Sequence, residues 1–266
     1  MEEHKIIKSE NGDVHYWINR NADKDAKCIL FTHGLTANHK MYEKQVAYFC
    51  GKYTTITWDV PLHGLSRPYK NFSYRSTALE MKHVLDEEHI DKVILVGMSM
   101  GGYPSQMFGN MFPEMVDRFI GIDTTPFGKE YYSKSDLWWL RKVAPIAKIY
   151  TEKFLKKSMA KSVSTTKYSY DMMMQMLEPL TKEEIIEQMY IAYSVFADEN
   201  TDMELAFPVL ILLGDHDCTG KVKQYCKMWA EKTFSPLHII KNAAHFSNGD
   251  NAEQVNSEIE GFIEQH

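Results

Sequence analysis

No stretch of the sequence stays apolar over the ~18 residues that a membrane span requires. An integral membrane segment is therefore not expected. Cysteine is scarce. Cys28, Cys50, Cys218 and Cys226 are the whole complement, and no two form a C-x-x-C pair. That spacing argues against a structural zinc site. An oxidising compartment would let the four pair, but the expectation is free thiols in a reducing cytoplasm. Positive charge is also in deficit, with 30 Lys and Arg against 36 Asp and Glu and a net charge of -6. Nucleic acid is a poor fit as main partner, because phosphate binding needs a basic footprint. The first residues, Met1-Glu2-Glu3-His4-Lys5, lead into no apolar h-region, so an ordinary signal peptide is not expected. Internal repeats and low-complexity linkers are absent as well.

What the chain does have is room for a core. Its 266 residues suit one large α/β domain, or one that carries an insertion. Short apolar runs recur at Cys28–Thr32, Thr54–Trp58, 93–96, 119–122, 209–213 and Leu237–Ile240. Continuous apolar runs of this length indicate strands buried on both faces, as in a parallel sheet. Residues 14–18 alternate apolar and polar side chains and suit a half-exposed antiparallel strand. Helical periodicity falls between the strands, at 39–50, 75–89, 100–112, 221–232 and Ala252–Glu264. Strand–helix alternation predicts a doubly wound, mostly parallel α/β sheet with right-handed crossovers.

Residues 126–207 break that rhythm. They contain no convincing buried strand, and helices are expected at 137–140, 143–155, 170–177 and 183–196. Some 80 residues is too long for a simple connection. The expectation is a helical cap inserted into a core of residues 1–125 and 208–266, lying over the carboxyl ends of the strands, where open α/β sheets bind ligands.

The chemistry begins at Gly97-Met98-Ser99-Met100-Gly101, a G-x-S-x-G between a buried strand and a helix. Glycines let strand and helix close on each other while the serine is held on a sharp turn with its hydroxyl exposed. A serine hydroxyl needs a base. Of the 11 histidines, His245 follows the last strand, whereas His238 lies inside it and His266 is the last residue. The imidazole in turn needs a carboxylate to fix its tautomer. Asp215 and Asp217 both follow the strand at 209–213, and Asp123 follows the one at 119–122. An oxyanion needs aimed donors, and the Met100 N–H is one. The Leu35 N–H, in the loop after Cys28–Thr32, is the expected second. His33 is read as holding that loop rather than as a catalyst.

Together these features resemble the α/β-hydrolase superfamily, over nearly the whole chain outside the insertion. The resemblance rests on His33-Gly34, the elbow at Ser99, Gly214-x-x-Asp217, His245 and Asp59-Val60-Pro61-Leu62-His63-Gly64-Leu65-Ser66. The last segment is similar to the family's D-x-x-G-x-G-x-S loop, with His63 read as replacing its first glycine. The family's G-x-x-D pattern implies Asp217 as the acid, and the order Ser, Asp, His is the family's order. Capped esterases and carbon–carbon bond hydrolases are the most similar subgroup. A serine elbow, rather than an aspartate, argues against a dehalogenase or epoxide hydrolase.

The resemblance implies hydrolysis of a small-molecule ester through an acyl-enzyme, with no cofactor and no metal. Thioesters, amides, peptides, carbon–carbon bonds and a non-catalytic small-molecule sensor are the alternatives, and the oligomeric state is left open. Seven of the 16 methionines fall in residues 126–207. Methionine adapts to variable apolar groups, so Met98, Met172, Met174 and Trp138 are expected to line the substrate pocket. Residues 129–167 carry ten basic and three acidic side chains, while 171–204 carry nine acidic and one basic. Solvated helix faces explain most such asymmetry. A basic amphipathic helix over 143–159 would instead suit an anionic substrate or a membrane surface.

Overall fold

A computed structural model describes residues 2–264. His266 therefore lies outside the described residues. Eight strands form a single sheet: β1 (Glu3–Ser9), β2 (Gly12–Asn19), β3 (Cys28–Thr32), β4 (Thr54–Trp58), β5 (Val93–Met98), β6 (Val116–Ile122), β7 (Val209–Gly214) and β8 (Leu237–Ile240). Their spatial order is β1-β2-β4-β3-β5-β6-β7-β8. The β1–β2 and β2–β4 pairs are antiparallel and all the others parallel.

The apolar runs other than Leu237–Ile240 are inner strands because both their faces are covered. Leu237–Ile240 forms the edge strand β8, where His238 and Ile239 are exposed, so its expected burial on both faces is not met. Alternate residues feed two separate cores. Leu30, Val93 and Leu95 pack on one side of the sheet, with Met81 and Val84 of α2 (Tyr74–Glu87) and Phe108 of α3 (Gly102–Met111). Ile29, Phe31, Ile94 and Val96 pack on the other, with Phe49 of α1 (Glu43–Phe49) and Val255, Ile259 and Phe262 of the carboxyl-terminal helix Ala252–Glu264. The expectation of a doubly wound, mostly parallel sheet is met.

β1 is the element the sequence hid. Of its residues, Glu-His-Lys-Ile-Ile-Lys-Ser, five are polar or charged and none is fully buried. It exists because it pairs along its full length with β2, from Glu3–Ile18 to Ser9–Gly12. The strand is thus specified by its partner and the two-residue turn between them, not by its own apolar pattern.

Four helices stand between β6 and β7: α4 (Lys134–Ala147), α5 (Glu152–Ser162), α6 (Lys167–Leu177) and α7 (Lys182–Glu199). A single basic helix over 143–159 does not form. The chain leaves helix after Ala147, and Thr151 starts a new one by accepting a hydrogen bond from the Phe154 N–H. Such a side-chain cap satisfies an otherwise orphaned amide and fixes the boundary. Three other caps do the same at Ser133, Thr166 and Thr181. The chain is completed by α8 (Val222–Thr233), the short α9 (Ser247–Asp250) and α10 (Ala252–Glu264). All four cysteines are free thiols. Among the described residues, no helix is long and apolar enough to cross a membrane.

The strand order fixes where a ligand can sit. From β3 the chain goes to β4 on one side, then returns to β5 on the other. Between β3 and β5 the loops diverge and leave a crevice at the carboxyl ends. Ser99 follows β5 and Leu35 follows β3, so both border it.

Candidate active site

β5 ends at Met98, and Ser99 opens a tight 3₁₀ turn that runs into α3. Ser99 has a φ of 49°, a left-handed conformation that costs a residue with a side chain about 1–2 kcal/mol. Two glycines make the turn possible. A Cβ on Gly97 would sit 2.7 Å from the Gly101 oxygen, and one on Gly101 would sit 2.1 Å from the Thr32 oxygen. The strained carbonyl of Ser99 is tied down, since the Thr124 hydroxyl donates to it at 2.7 Å.

His245 arrives on the loop between β8 and α9, and Asp217 on the loop after β7. His245 Nε2 lies 2.8 Å from Ser99 Oγ, and His245 Nδ1 lies 2.8 Å from Asp217 Oδ2. A carboxylate accepts, so Nδ1 carries the proton and Nε2 is left to accept from the serine hydroxyl. Both Asp217 and His245 are buried. Burial opposes charge on the imidazole, but the hydrogen bond and charge of Asp217, reinforced by Asp123, outweigh it and raise the His245 pKa. Burial likewise opposes ionisation of Asp217, but the His245 hydrogen bond and charge and the Thr219 N–H, 2.7 Å from Oδ1, hold its pKa low.

The competing acids are placed elsewhere. Asp215 accepts the Ala243 N–H at 3.1 Å and pairs with His216 at 2.6 Å, bracing the loop that carries His245. Asp123 is fully buried with a φ of 47°. Its Oδ1 accepts from the Gly214 N–H at 2.8 Å, and its Oδ2 from the Ser247 amide and hydroxyl at 3.2 and 2.5 Å. It stitches together the loops that hold the acid and the histidine. Desolvation pushes its pKa up, against the pull of His245.

The His33–Gly34 step acquires a physical account. His33 is buried, and burial lowers its pKa to about 4, so the ring is neutral. Its Nε2 accepts from the Val60 N–H at 3.0 Å, which leaves the proton on Nδ1 to donate to the Gly34 carbonyl at 2.7 Å. The Leu35 N–H belongs to that same peptide plane and points opposite the anchored carbonyl. A Cβ on Gly34 would lie 3.4 Å from the Ser99 Cβ, so this peptide runs directly beside the serine.

The loop from Asp59 to Ser66 needs a correction. Counting from Asp59, the place of the motif's first glycine is held by Leu62, not His63, and Leu62 keeps the glycine-like backbone, with a φ of 73°. Asp59 organises the loop by accepting from the His39 and Leu65 amides at 2.8 and 2.6 Å.

A cavity of about 590 Å³ opens above Ser99 and His245. Its walls include Tyr74, Tyr103, Tyr132, Tyr193, Tyr225 and Phe196, and α4 contributes Trp139, Leu140 and Val143. The Tyr103 and Tyr132 hydroxyls are both bonded to Thr125, at 2.8 and 2.7 Å, so the rings present mainly apolar faces. None of the four side chains expected in the pocket lines this cavity. Met172 is buried in the core on the opposite side of the sheet from Tyr103 and Phe196, and Met98 packs under Gly34. Met174 faces a separate surface groove with Lys156 and Glu178. Trp138 is exposed beside Trp139. Methionine fills cores as readily as pockets, and in this chain Met172, Met173, Met176 and Met189 fill a core. Tyrosine is what the sequence reading missed. Five of the 15 tyrosines line this one cavity, but they come from distant segments and share no spacing.

Comparison with known proteins agrees with this architecture. A protein-family profile described as alpha/beta hydrolase fold matches residues 27–252. The chain is similar to 3-oxoadipate enol-lactonase 2 of Acinetobacter baylyi, with 24% identity over 253 residues, 91% of this chain and 90% of that protein. Among solved structures, a thermophilic esterase from Thermogutta terrifontis superposes with a TM-score of 0.79 at 18% identity, covering 98% of each chain. The enol-lactonase from Burkholderia xenovorans LB400 superposes with a TM-score of 0.76 at 16% identity, covering 98% of this chain and 100% of that one.

Proposed function

The chain belongs to the alpha/beta hydrolase fold family, and from that premise we propose that it is a serine hydrolase cleaving carboxylic esters of small to medium apolar substrates. The observation that carries the reading is the continuous chain of 2.8 Å contacts from Ser99 through His245 to Asp217, at the floor of the apolar cavity. In this reading Ser99 Oγ attacks the ester carbonyl while its proton passes to His245 Nε2. Asp217 stabilises the imidazolium that forms. The developing oxyanion is held by the Met100 and Leu35 amides. His245 then gives its proton to the departing alkoxide, leaving an acyl-Ser99. Water attacks that ester by the same route in reverse order, His245 taking its proton, and the acid is released.

We read residues 126–207 as a cap that gives the pocket its far wall. The cavity is finite, so selectivity should turn over with chain length. Each methylene buried in it adds about 0.8 kcal/mol, roughly a fourfold gain in kcat/KM, until the space is full. A series of aryl esters graded by acyl length tests this, with a cyclic ester added because two of the similar proteins are named enol-lactonases. A preference for short to medium chains is expected, and Trp139→Ala, Leu140→Ala or Val143→Ala should move the optimum towards longer ones. Rates that keep rising up to ~16 carbons, or an optimum that none of the three changes shifts, would contradict the cap's role. Thioester, amide and carbon–carbon substrates in the same panel separate the alternatives.

The pH dependence follows from His245. Its folded pKa is raised above the ordinary 6.5, and the base works only when neutral. Activity should therefore fall as pH drops through that raised value, with the acid limb of kcat/KM lying above 6.5. Asp217→Asn removes the largest raising interaction, so the residual activity should show a limb displaced to lower pH. A profile flat down to pH 5 would count against a histidine base.

A further inference from the structure

The outward face of α4 is the wrong way round for a solvated helix. Its inward side buries the small Ala144 and Ala147 and packs Leu137 and Leu140, partly buried, against the core. Its outward side carries Trp138, Trp139, Val143 and Ile146, with Ile149 and Tyr150 following in the turn. Trp138 is 52% exposed, Trp139 58% and Ile149 81%. The strip continues onto α5, where Phe154, 54% exposed, stacks on Tyr150 with ring centroids 5.1 Å apart. Half of the exposed large apolar side chains among the described residues fall between Trp138 and Phe154. A monomer surface rarely leaves such a contiguous patch open without a use for it.

The charges around the patch say what covers it. Residues 134–161 hold eight basic and two acidic side chains in a chain whose net charge is -6. Asp136 is taken by Lys221 and Glu152 by Lys156. Among the described residues, Lys142, Lys148, Lys153, Lys157 and Lys161 form no ion pair, and all five are exposed. Lys153, Lys157 and Lys161 lie at i, i+4 and i+8, one stripe of α5. Lys142 sits over the Trp138 ring, 5.2 Å from its centroid. Exposed tryptophan, tyrosine and bulky aliphatic side chains among unpaired lysines are the pattern of a helix that lies in the plane of an anionic lipid surface.

We propose that the α4–α5 face docks this protein on anionic membranes. Trp138, Ile149 and Phe154 enter the acyl–headgroup boundary, and Lys142, Lys148, Lys153, Lys157 and Lys161 meet lipid phosphates. The attraction is local, since screening confines it to about 10 Å at 0.1 M salt, so the overall negative charge does not prevent it. Trp139 and Val143 belong both to this face and to the cavity wall, which places the cavity's α4 side against the lipid. Docking itself does not depend on the reading of the cavity as a hydrolase site.

Co-sedimentation with vesicles tests the proposal, comparing phosphatidylcholine alone with phosphatidylcholine mixed with phosphatidylglycerol. The wild type should bind the anionic vesicles at least tenfold more tightly, with a blue shift in tryptophan emission, and raised salt should release it. Replacing Lys153, Lys157 and Lys161 together with glutamine should weaken binding on the order of a hundredfold, at about a factor of five per lysine. Ile149→Asp with Phe154→Asp should weaken it tenfold or more while leaving the hydrolysis of soluble esters unchanged. All five side chains are exposed, so both variants should keep the wild-type melting temperature, and the salt dependence of the wild type stands without any variant. Equal affinity for neutral and anionic vesicles, or no binding to either, would overturn the proposal. So would a wild-type dimer that Ile149→Asp converts to monomer, because the face would then be covered by a second copy of the chain.

Discussion

Ser99→Ala should lower kcat by about 10⁴-fold or more, the scale on which serine triads fail when a member is removed. The size of the effect follows from the route. Without Oγ there is no acyl-enzyme, and what remains is whatever the oxyanion amides and the cavity contribute to direct attack by water. The change should do little harm to the fold. Ser99 holds a left-handed backbone at a φ of 49°, which alanine adopts no more easily than serine, but the Thr124 bond to the Ser99 carbonyl involves the main chain and survives. Activity on an aryl ester and the melting temperature should therefore separate cleanly. A variant that keeps a tenth of wild-type activity would remove Ser99 from the mechanism.

Asp217→Asn should cost up to ~10⁴ in kcat, because an amide at that place favours the wrong tautomer of its histidine. The new carboxamide can present an N–H to His245 Nδ1, which moves the ring proton to Nε2. Nε2 then faces Ser99 Oγ as a donor and cannot take its proton. Asp215→Asn is the control. The carboxamide it introduces retains an oxygen for the Ala243 N–H, and the loss of activity should be small by comparison. Asp123→Asn tests the third acid. The Asp123 oxygens are occupied by Gly214 and Ser247 rather than by the imidazole, so the change should lower stability by about 1–2 kcal/mol and leave most of kcat intact. Comparable losses of kcat at 215 and 217 would contradict this account of the two acids.

The parts of the fold that could be read from the sequence share one property: their residues answer to the sheet rather than to a neighbour. β3 and β4 have the predicted ends because each is a run that the sheet buries almost entirely, and β8 has them although His238 and Ile239 stay exposed at the sheet's edge. β1 was not readable, since its charged residues form a strand only by pairing with β2. The break between α4 and α5 was hidden because the basic and apolar periodicity runs on through it. A single cap at Thr151 decides it. The spacing of G-x-S-x-G, G-x-x-D and the last-strand histidine selected three residues that the fold links by two contacts of 2.8 Å. Such motifs are local and turn-bound, so their constraints are written in consecutive residues. The pocket is different. Whether Met172 or Tyr103 faces a cavity depends on helix rotation and on which side of the sheet each lies. Composition holds neither fact.

The central claim is that Ser99 is an activated nucleophile, and labelling tests it most directly. A fluorophosphonate reports on the serine itself without knowledge of the substrate. Incubated with the protein and mapped by peptide mass spectrometry, it should add one phosphonyl group, on the peptide carrying Ser99. The reaction should slow as pH falls through the raised His245 pKa and should be strongly reduced in Asp217→Asn. An unlabelled Ser99 in folded protein, or a label that persists in Ser99→Ala at the wild-type rate, would contradict it.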